Sequence, residues 1–298
     1  MILILTAFLA LAANGFGSGI RVSTQGEVFP ADPDFYQKNY SAHVLWNMGK
    51  AGGVSLRSLL KGNWQDTHGG QGHYFNENIY GLGYQLLIRG EKIDFMGGVV
   101  SESDRPFHSI DEVEFFSAGF YNVWKNKRHS LGLGYAYANK EVIEGFPRVP
   151  LPFFQYRYQS PDFIFSFGVI TFARVYLAEN IWVEAWVPVF GGNTVLKAVS
   201  RWRGDRSIAA VAQTRKKTYQ PVDRPDKELF LVINGIESGL EVEKKLGKSV
   251  SLGGFAGYAF NNRYYYQEYT PLGGSREKFQ ERELPASPVF RIQISIGL

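Results

Sequence analysis

The chain has 298 residues, no cysteine, and a net charge of +4 from 32 basic against 28 acidic residues. The absence of thiols excludes disulfide frameworks, thiolate metal sites, cysteine nucleophiles and a lipid anchor on a processed cysteine; the charge is spread too evenly to make a nucleic-acid-binding arm. Aromatics at 15% with 33 glycines favour strands and turns over helices, so the fold class read from composition is all-β.

The chain opens on an apolar run from Ile2 to Ala13 that is too short to span a bilayer as a helix, and "ALA" at 10–12 suits signal-peptidase cleavage. Residues 1–12 are therefore read as a secretory signal, although no Lys or Arg precedes the run, and 13–298 as one domain. From residue 19 onward, segments of about ten residues alternate apolar and polar positions, the mark of strands with one greasy face. The strands are expected at 19–28, 38–48, 53–64, 76–89, 92–102, 112–124, 129–139, 151–159, 163–169, 171–177, 181–189, 193–203, 206–218, 229–246, 249–262 and 287–298. The clearest faces are Tyr80, Leu82, Tyr84, Leu86 and Ile88; Leu131, Leu133, Tyr135 and Tyr137; Phe163, Phe165, Phe167 and Val169; and, in the last strand, Phe290, Ile292, Ile294, Ile296 and Leu298. The count is about sixteen, or about fourteen if "GVITFARV" does not turn within 163–177.

Tight breaks such as "RGEK" at 89–92, "KNKR" at 125–128 and "RGD" at 203–205 alternate with long ones such as 65–75, 101–112, 139–150, 220–228 and 261–288. A sheet with hairpins at one end and loops at the other matches a closed transmembrane barrel better than a soluble sandwich. At this point the chain resembles the Gram-negative outer-membrane β-barrel proteins. The resemblance rests on the signal-like start, the amphipathic strands and the final "FRIQISIGL"; within that group, residues 151–190 are similar to an uncharacterised barrel family known only as a domain of unknown function. It implies a closed antiparallel transmembrane β-barrel in the cell outer membrane, with membrane lipids as partners and insertion by the barrel-assembly machinery through the C-terminal strand. That terminal signal usually closes on Phe or Trp, and Leu298 departs from it.

With the apolar parity facing lipid, the other parity lines the lumen: Arg57, Lys61, Arg89, Arg157, Glu184, Lys197, Arg201, Glu237, Glu241 and Arg291, with Asp94 and Glu243 on the same face. A charge at the lipid midplane would cost ~2–4 kcal/mol, which fixes this assignment. Bases outnumber acids slightly there, so a passive pore for small solutes would lean towards anions, while pairing among them would instead hold a structural barrel shut. Trp182 and Trp186 also fall on the inward parity, where a greasy ring has no evident role.

No catalytic, cofactor or metal site is expected. Asp66, His68 and His73 share one polar stretch, which leaves an outer-membrane hydrolase as an alternative, but no second acidic pair accompanies them. His129 and Ser130 are adjacent, so on a strand they point to opposite faces and cannot form a dyad. "NNRYYYQEY" at 261–269 reads as a girdle of tyrosines at the outer interface. A secreted lipocalin-like binder, with the apolar faces turned inward, is the remaining alternative.

Overall fold

The structure, a computed structural model, describes residues 20–32, 35–51, 53–69, 78–139, 150–168, 170–188, 193–202, 204–219, 229–247, 249–268 and 278–297. Nearly all of these are strand. In chain order they are β1 (Ile20–Asp32), β2 (Phe35–Ala51), β3 (Val54–Gly69), β4 (Asn78–Arg89), β5 (Ile93–Ser103), the 3-10 turn η1 (Ile110–Glu112), β6 (Val113–Lys125), β7 (His129–Ala138), β8 (Leu151–Gln159) and β9 (Phe163–Phe167). There follow β10 (Ile170–Ala178), β11 (Ile181–Pro188), β12 (Val195–Trp202), β13 (Arg206–Tyr219), β14 (Leu229–Lys245), β15 (Val250–Glu268), β16 (Lys278–Leu284) and β17 (Ser287–Gly297).

Strands pair antiparallel in sequence order, and β1 pairs with both β2 and β17, closing the sheet on itself. The closing register runs from Arg21 opposite Gly297 to Val28 opposite Phe290 without interruption. β16 and β17 both pair with β15, one along its upper part and the other along its lower part, with Pro285 and Ala286 between them. Seventeen strands, two of them sharing one position, therefore make a closed barrel of sixteen staves among the described residues. The hairpin in question exists: Ser166 pairs with Phe172 and Phe163 with Val175, so the chain turns directly between β9 and β10. The segment 233–235 is no turn; β14 runs straight through it, with a bulge against β15 where Asn261 takes a φ of 52°.

The two ends differ. Gly53, Gly204 and Gly247 adopt positive φ in tight turns at one end, a conformation that costs a glycine little. The longer connections gather at the other end, where two are nonetheless short, 33–34 and 168–169. One expected loop is smaller than read: β15 extends to Glu268 and β16 returns from Lys278, so much of 261–288 is strand.

Alternation sorts the side chains. Leu82, Leu133, Phe154, Leu240 and Ile292 stand outward and are each half exposed or more. Trp46, Trp64, Trp124 and Trp202 share that outer face by register, Trp64 stacked on Tyr40 at 5.2 Å between ring centroids. At the tight-turn end the outward His129 meets the Tyr156 hydroxyl at 2.7 Å through Nδ1, while Ser130 turns inward opposite Arg157. The lipocalin-like alternative is thereby corrected: Ile292 is 63% exposed on the outside, whereas the Arg291 and Glu27 side chains are 17% and 6% exposed within. Among the described residues no helix is long and apolar enough to cross a membrane; the apolar surface belongs to the strands.

An arginine placed on this outer belt should be far worse tolerated than one placed a residue away. Ile292→Arg is expected to lose ~2–4 kcal/mol and Gln293→Arg much less, read by urea unfolding in phospholipid vesicles. The reverse order would contradict the assignment of faces.

Candidate functional site

The interior is built from the second parity, and one set of its charges is paired across the barrel rather than left to water. Glu27 on β1 sits opposite Arg291 on β17, whose Nε and Nη2 donate to Glu27 Oε2 at 2.9 and 2.6 Å. Arg215, on β13, donates through Nη2 to Glu27 Oε1 at 2.8 Å and to Gln37 Oε1 on β2 at 2.9 Å. Asn39 donates a further bond to Glu27 Oε1 at 2.7 Å. Arg291 Nη2 also donates to Glu237 Oε1 at 2.8 Å, and Gln213 Nε2 bonds the same oxygen. One connected network thus joins β1, β2, β13, β14 and β17.

Its reach reveals the shape of the cross-section. Sixteen staves spaced ~4.8 Å apart and tilted ~40° would form a circle of radius ~16 Å, in which β13 and β1, a quarter-turn apart, lie roughly 22 Å from each other. An extended arginine and glutamate, with the hydrogen bond between them, cover only ~13 Å. The wall is therefore drawn inward here, and both partners of the Arg215–Glu27 pair are 6% exposed. Nearer the loop end, Ile79 of β4 joins Leu231 and Ile233 of β14 and Tyr264 and Tyr266 of β15 in one buried cluster, again linking staves far apart in the ring.

A second inner surface is apolar. Trp182, Val199, Ala209, Val211, Phe255, Ala259 and Val289 form a buried strip along the wall from β11 to β17. Glycine allows it to lie flat: a Cβ at Gly257 would fall 2.6 Å from the Phe255 ring, so only a glycine admits the ring there. Cations lie over the strip, Arg291 over Phe255 at 4.9 Å and Arg201 over Trp182 at 5.0 Å, each to the ring centroid. Arg174 bonds Glu184 Oε2 through Nε and Nη2 at 2.9 and 2.6 Å, and Lys197 Nζ meets both oxygens of Glu241 at 3.0 and 2.9 Å. Towards the tight turns the same wall leaves a cavity of about 470 Å³ bordered by Arg21, Arg201, Arg291, Glu241, Glu243 and Gln293.

The residues singled out in the sequence fall as follows. Glu184, Lys197, Arg201, Glu237, Glu241 and Arg291 belong to this wall. Arg57 and Lys61 share one face of β3, and Arg157 lies opposite Ser166 on the row that continues to Phe172. Arg89 pairs with Asp94 at 3.4 Å near a tight turn, where both are open to solvent. Glu27, Gln37, Arg215 and Arg174, which hold the network and the second ion pair, went unrecognised. The signal was present, since Glu27 shares the parity of Arg21 and Arg215 that of Gln213.

Two expectations need correction. Asp66 lies in β3, which runs to Gly69, so the Asp66–His68 stretch is strand rather than a free loop; His73 lies outside the described residues. Tyr264 and Tyr266, 5% and 3% exposed, pack in the inner cluster with Ile79 rather than in an outer girdle; Tyr265, opposite Val232, keeps the outer parity, with Lys278 Nζ 4.6 Å from its ring centroid, and Tyr269 lies outside the described residues. No group of His, Asp or Glu that could hold a metal occurs among the described residues.

No family model and no curated protein sequence matches the chain. Among solved structures it is similar to a bacterial polysaccharide outer membrane secretin at 9% identity, covering 94% of this chain and 98% of that one with a TM-score of 0.44. It is similar also to an outer membrane channel from Pseudomonas putida F1, at 9% identity over 95% and 96% of the two chains with a TM-score of 0.41. The NanC porin is a third, at 9% identity over 93% and 100% with a TM-score of 0.35. Identity at this level transfers no residue roles, and the functional reading rests on the chain's own interior.

Removing one partner of the buried network leaves charge stranded out of water. Arg215→Ala is expected to destabilise the barrel by ~3–5 kcal/mol, and Arg89→Ala, whose pair is solvated, by less than ~1 kcal/mol. Urea unfolding of both variants in lipid vesicles checks the contrast; equal losses would mean that the network is not buried.

Proposed function

We propose that the chain is an outer-membrane channel for small solutes, with an anion preference and a lumen narrowed by its own ion pairs. The observation that carries the reading is the separation of faces on a closed barrel: a greasy exterior suited to hydrocarbon and a charged interior. The interior is also unequally charged. Arg21, Arg57, Arg157 and Arg201 carry no ion pair among the described residues; of the inner carboxylates Glu243 carries none either, whereas Glu27, Glu184, Glu237 and Glu241 are each engaged by cations or amides. A passing anion meets several guanidinium groups without an ion pair; a cation meets fewer such carboxylates. Export by a leader at 1–12, insertion through the last strand by the barrel-assembly machinery and the absence of a catalytic step belong to the same reading.

The inward-drawn wall at Arg215–Glu27 favours a second reading, a barrel closed by its side chains that serves a structural role at the surface. Planar-bilayer recording of refolded protein separates the two. The channel reading expects stable conductance steps, a reversal potential in a KCl gradient that favours chloride, and a shift of that potential towards potassium in Arg57→Gln/Arg157→Gln. Silence of the wild type would select the closed barrel, and potassium preference would contradict the electrostatic reading.

A further inference from the structure

On regular strand positions among the described residues, the strongly exposed large apolar side chains point outward with one exception, Trp186. Trp186 is 39% exposed and shares the inner face of β11 with Trp182 and Glu184. Trp182 has a structural explanation: it is 8% exposed, covered by Arg174 and Arg201, and its Nε1 donates to Glu184 Oε2 at 3.1 Å. No cation covers Trp186 among the described residues. Its ring packs instead beside Phe172 of β10, 4.4 Å between centroids, and leaves the rest of its surface facing the lumen. An indole so placed in a charged interior forgoes the burial that keeps such rings out of water, unless a solute supplies it.

The surroundings specify the solute. Phe172 lies opposite Ser166 of β9, and Ser166 opposite Arg157 of β8, so one level of the inner wall reads Arg157, Ser166, Phe172, Trp186. Gln155 Nε2 reaches Ser166 Oγ at 3.5 Å beside this row. On the next level Glu184 receives Arg174 and Trp182 on Oε2, and its Oε1 takes no bond among the described residues. The Trp186 ring, the side of Phe172 away from Arg174, which lies 5.4 Å from that ring's centroid, a free carboxylate oxygen and a guanidinium without an ion pair thus lie on adjacent levels of one inner wall. Three strand steps, roughly 14 Å of backbone, separate Arg157 from Trp186; the two side chains shorten that to the scale of one or two sugar rings.

We propose that Trp186 and Phe172 are a stacking platform for a sugar ring inside the barrel, and that Arg157 holds a carboxylate on that sugar, so that the site takes a sugar acid. The rings accept the C–H face of a pyranose, Glu184 Oε1 and Ser166 take its hydroxyl protons, and Arg157 can grip the acid in a forked pair. A flat aromatic acid would satisfy the rings and the arginine but offer no hydroxyls to Glu184. A neutral sugar would leave Arg157 without a counter-charge.

This inference rests on the channel reading, and two measurements keep the fates of the two apart. In planar bilayers sodium glucuronate is expected to interrupt the current, with the block read as a fraction of each variant's own open current. Trp186→Ala and Arg157→Gln should each weaken it at least about fivefold, and glucose or benzoate at the same concentration should block far less. In detergent, independent of conductance, glucuronate should shift and quench the tryptophan emission of the wild type but leave the Trp186→Phe emission unchanged. Conductance without glucuronate block, block indifferent to Trp186→Ala, or benzoate as effective as glucuronate would overturn the site and leave the channel standing. Silent bilayers with an intact fluorescence response would overturn the channel and leave the site.

Discussion

A sheet whose outer surface is apolar has nowhere to place an unpaired backbone amide, and this requirement organises the whole molecule. Closure meets it: β1 and β17 complete each other's hydrogen bonding along eight consecutive register positions from Arg21 to Val28. Once the ring is closed, the pleat leaves each side chain only two directions. Apolar residues taken to one side drive every second residue to the other, and that is how Glu27, Arg215, Glu237 and Arg291 come to face one another far from their neighbours in sequence.

Their pairing then sets the cross-section. Charges withdrawn from water are tolerated only with close partners, and a round barrel of this size would hold Arg215 and Glu27 too far apart to touch. The wall bends until they meet, and the apolar strip beneath, from Trp182 to Val289, makes the bend favourable by burying its own surface. Stability and permeability are coupled through the same side chains: the contacts that hold the two sides together are those that narrow the path between them. What remains open lies beyond the pinch, around β8 to β11, where Arg157 without an ion pair and an uncovered indole share one level of the inner wall.

Period-two alternation made the architecture legible from sequence. The Tyr80–Ile88 and Phe290–Ile296 faces lie outward as alternation requires, whereas the abrupt β9–β10 turn stayed open in the sequence, because the outward residues Phe163, Phe165, Phe167, Ala173 and Val175 keep one parity across it. Less legible were the elements that are apolar on both faces. β10 reads "ITFARVYLA", with Phe172 and Tyr176 on the inner side and Val175 and Leu177 on the outer, so Arg174 looks in sequence like an intruder and in the structure is the centre of an ion pair. Tyr264 and Tyr266 misled for a related reason. An interface girdle and an inner seal use the same residue, and only the contact with Ile79, from a stave far around the ring, tells them apart. Local pattern gives direction; it does not give what lies across the interior.

The two sets of side chains point in opposite directions, and the cysteine-free chain allows this to be measured without background. Single cysteines at positions 290 to 295, each spin-labelled in phospholipid vesicles, would report collision with oxygen from the hydrocarbon and with a water-soluble nickel complex from the lumen. Oxygen access is expected at 290, 292 and 294, and nickel access or strong immobilisation at 291, 293 and 295. Alternation of the opposite phase, or none, would contradict it.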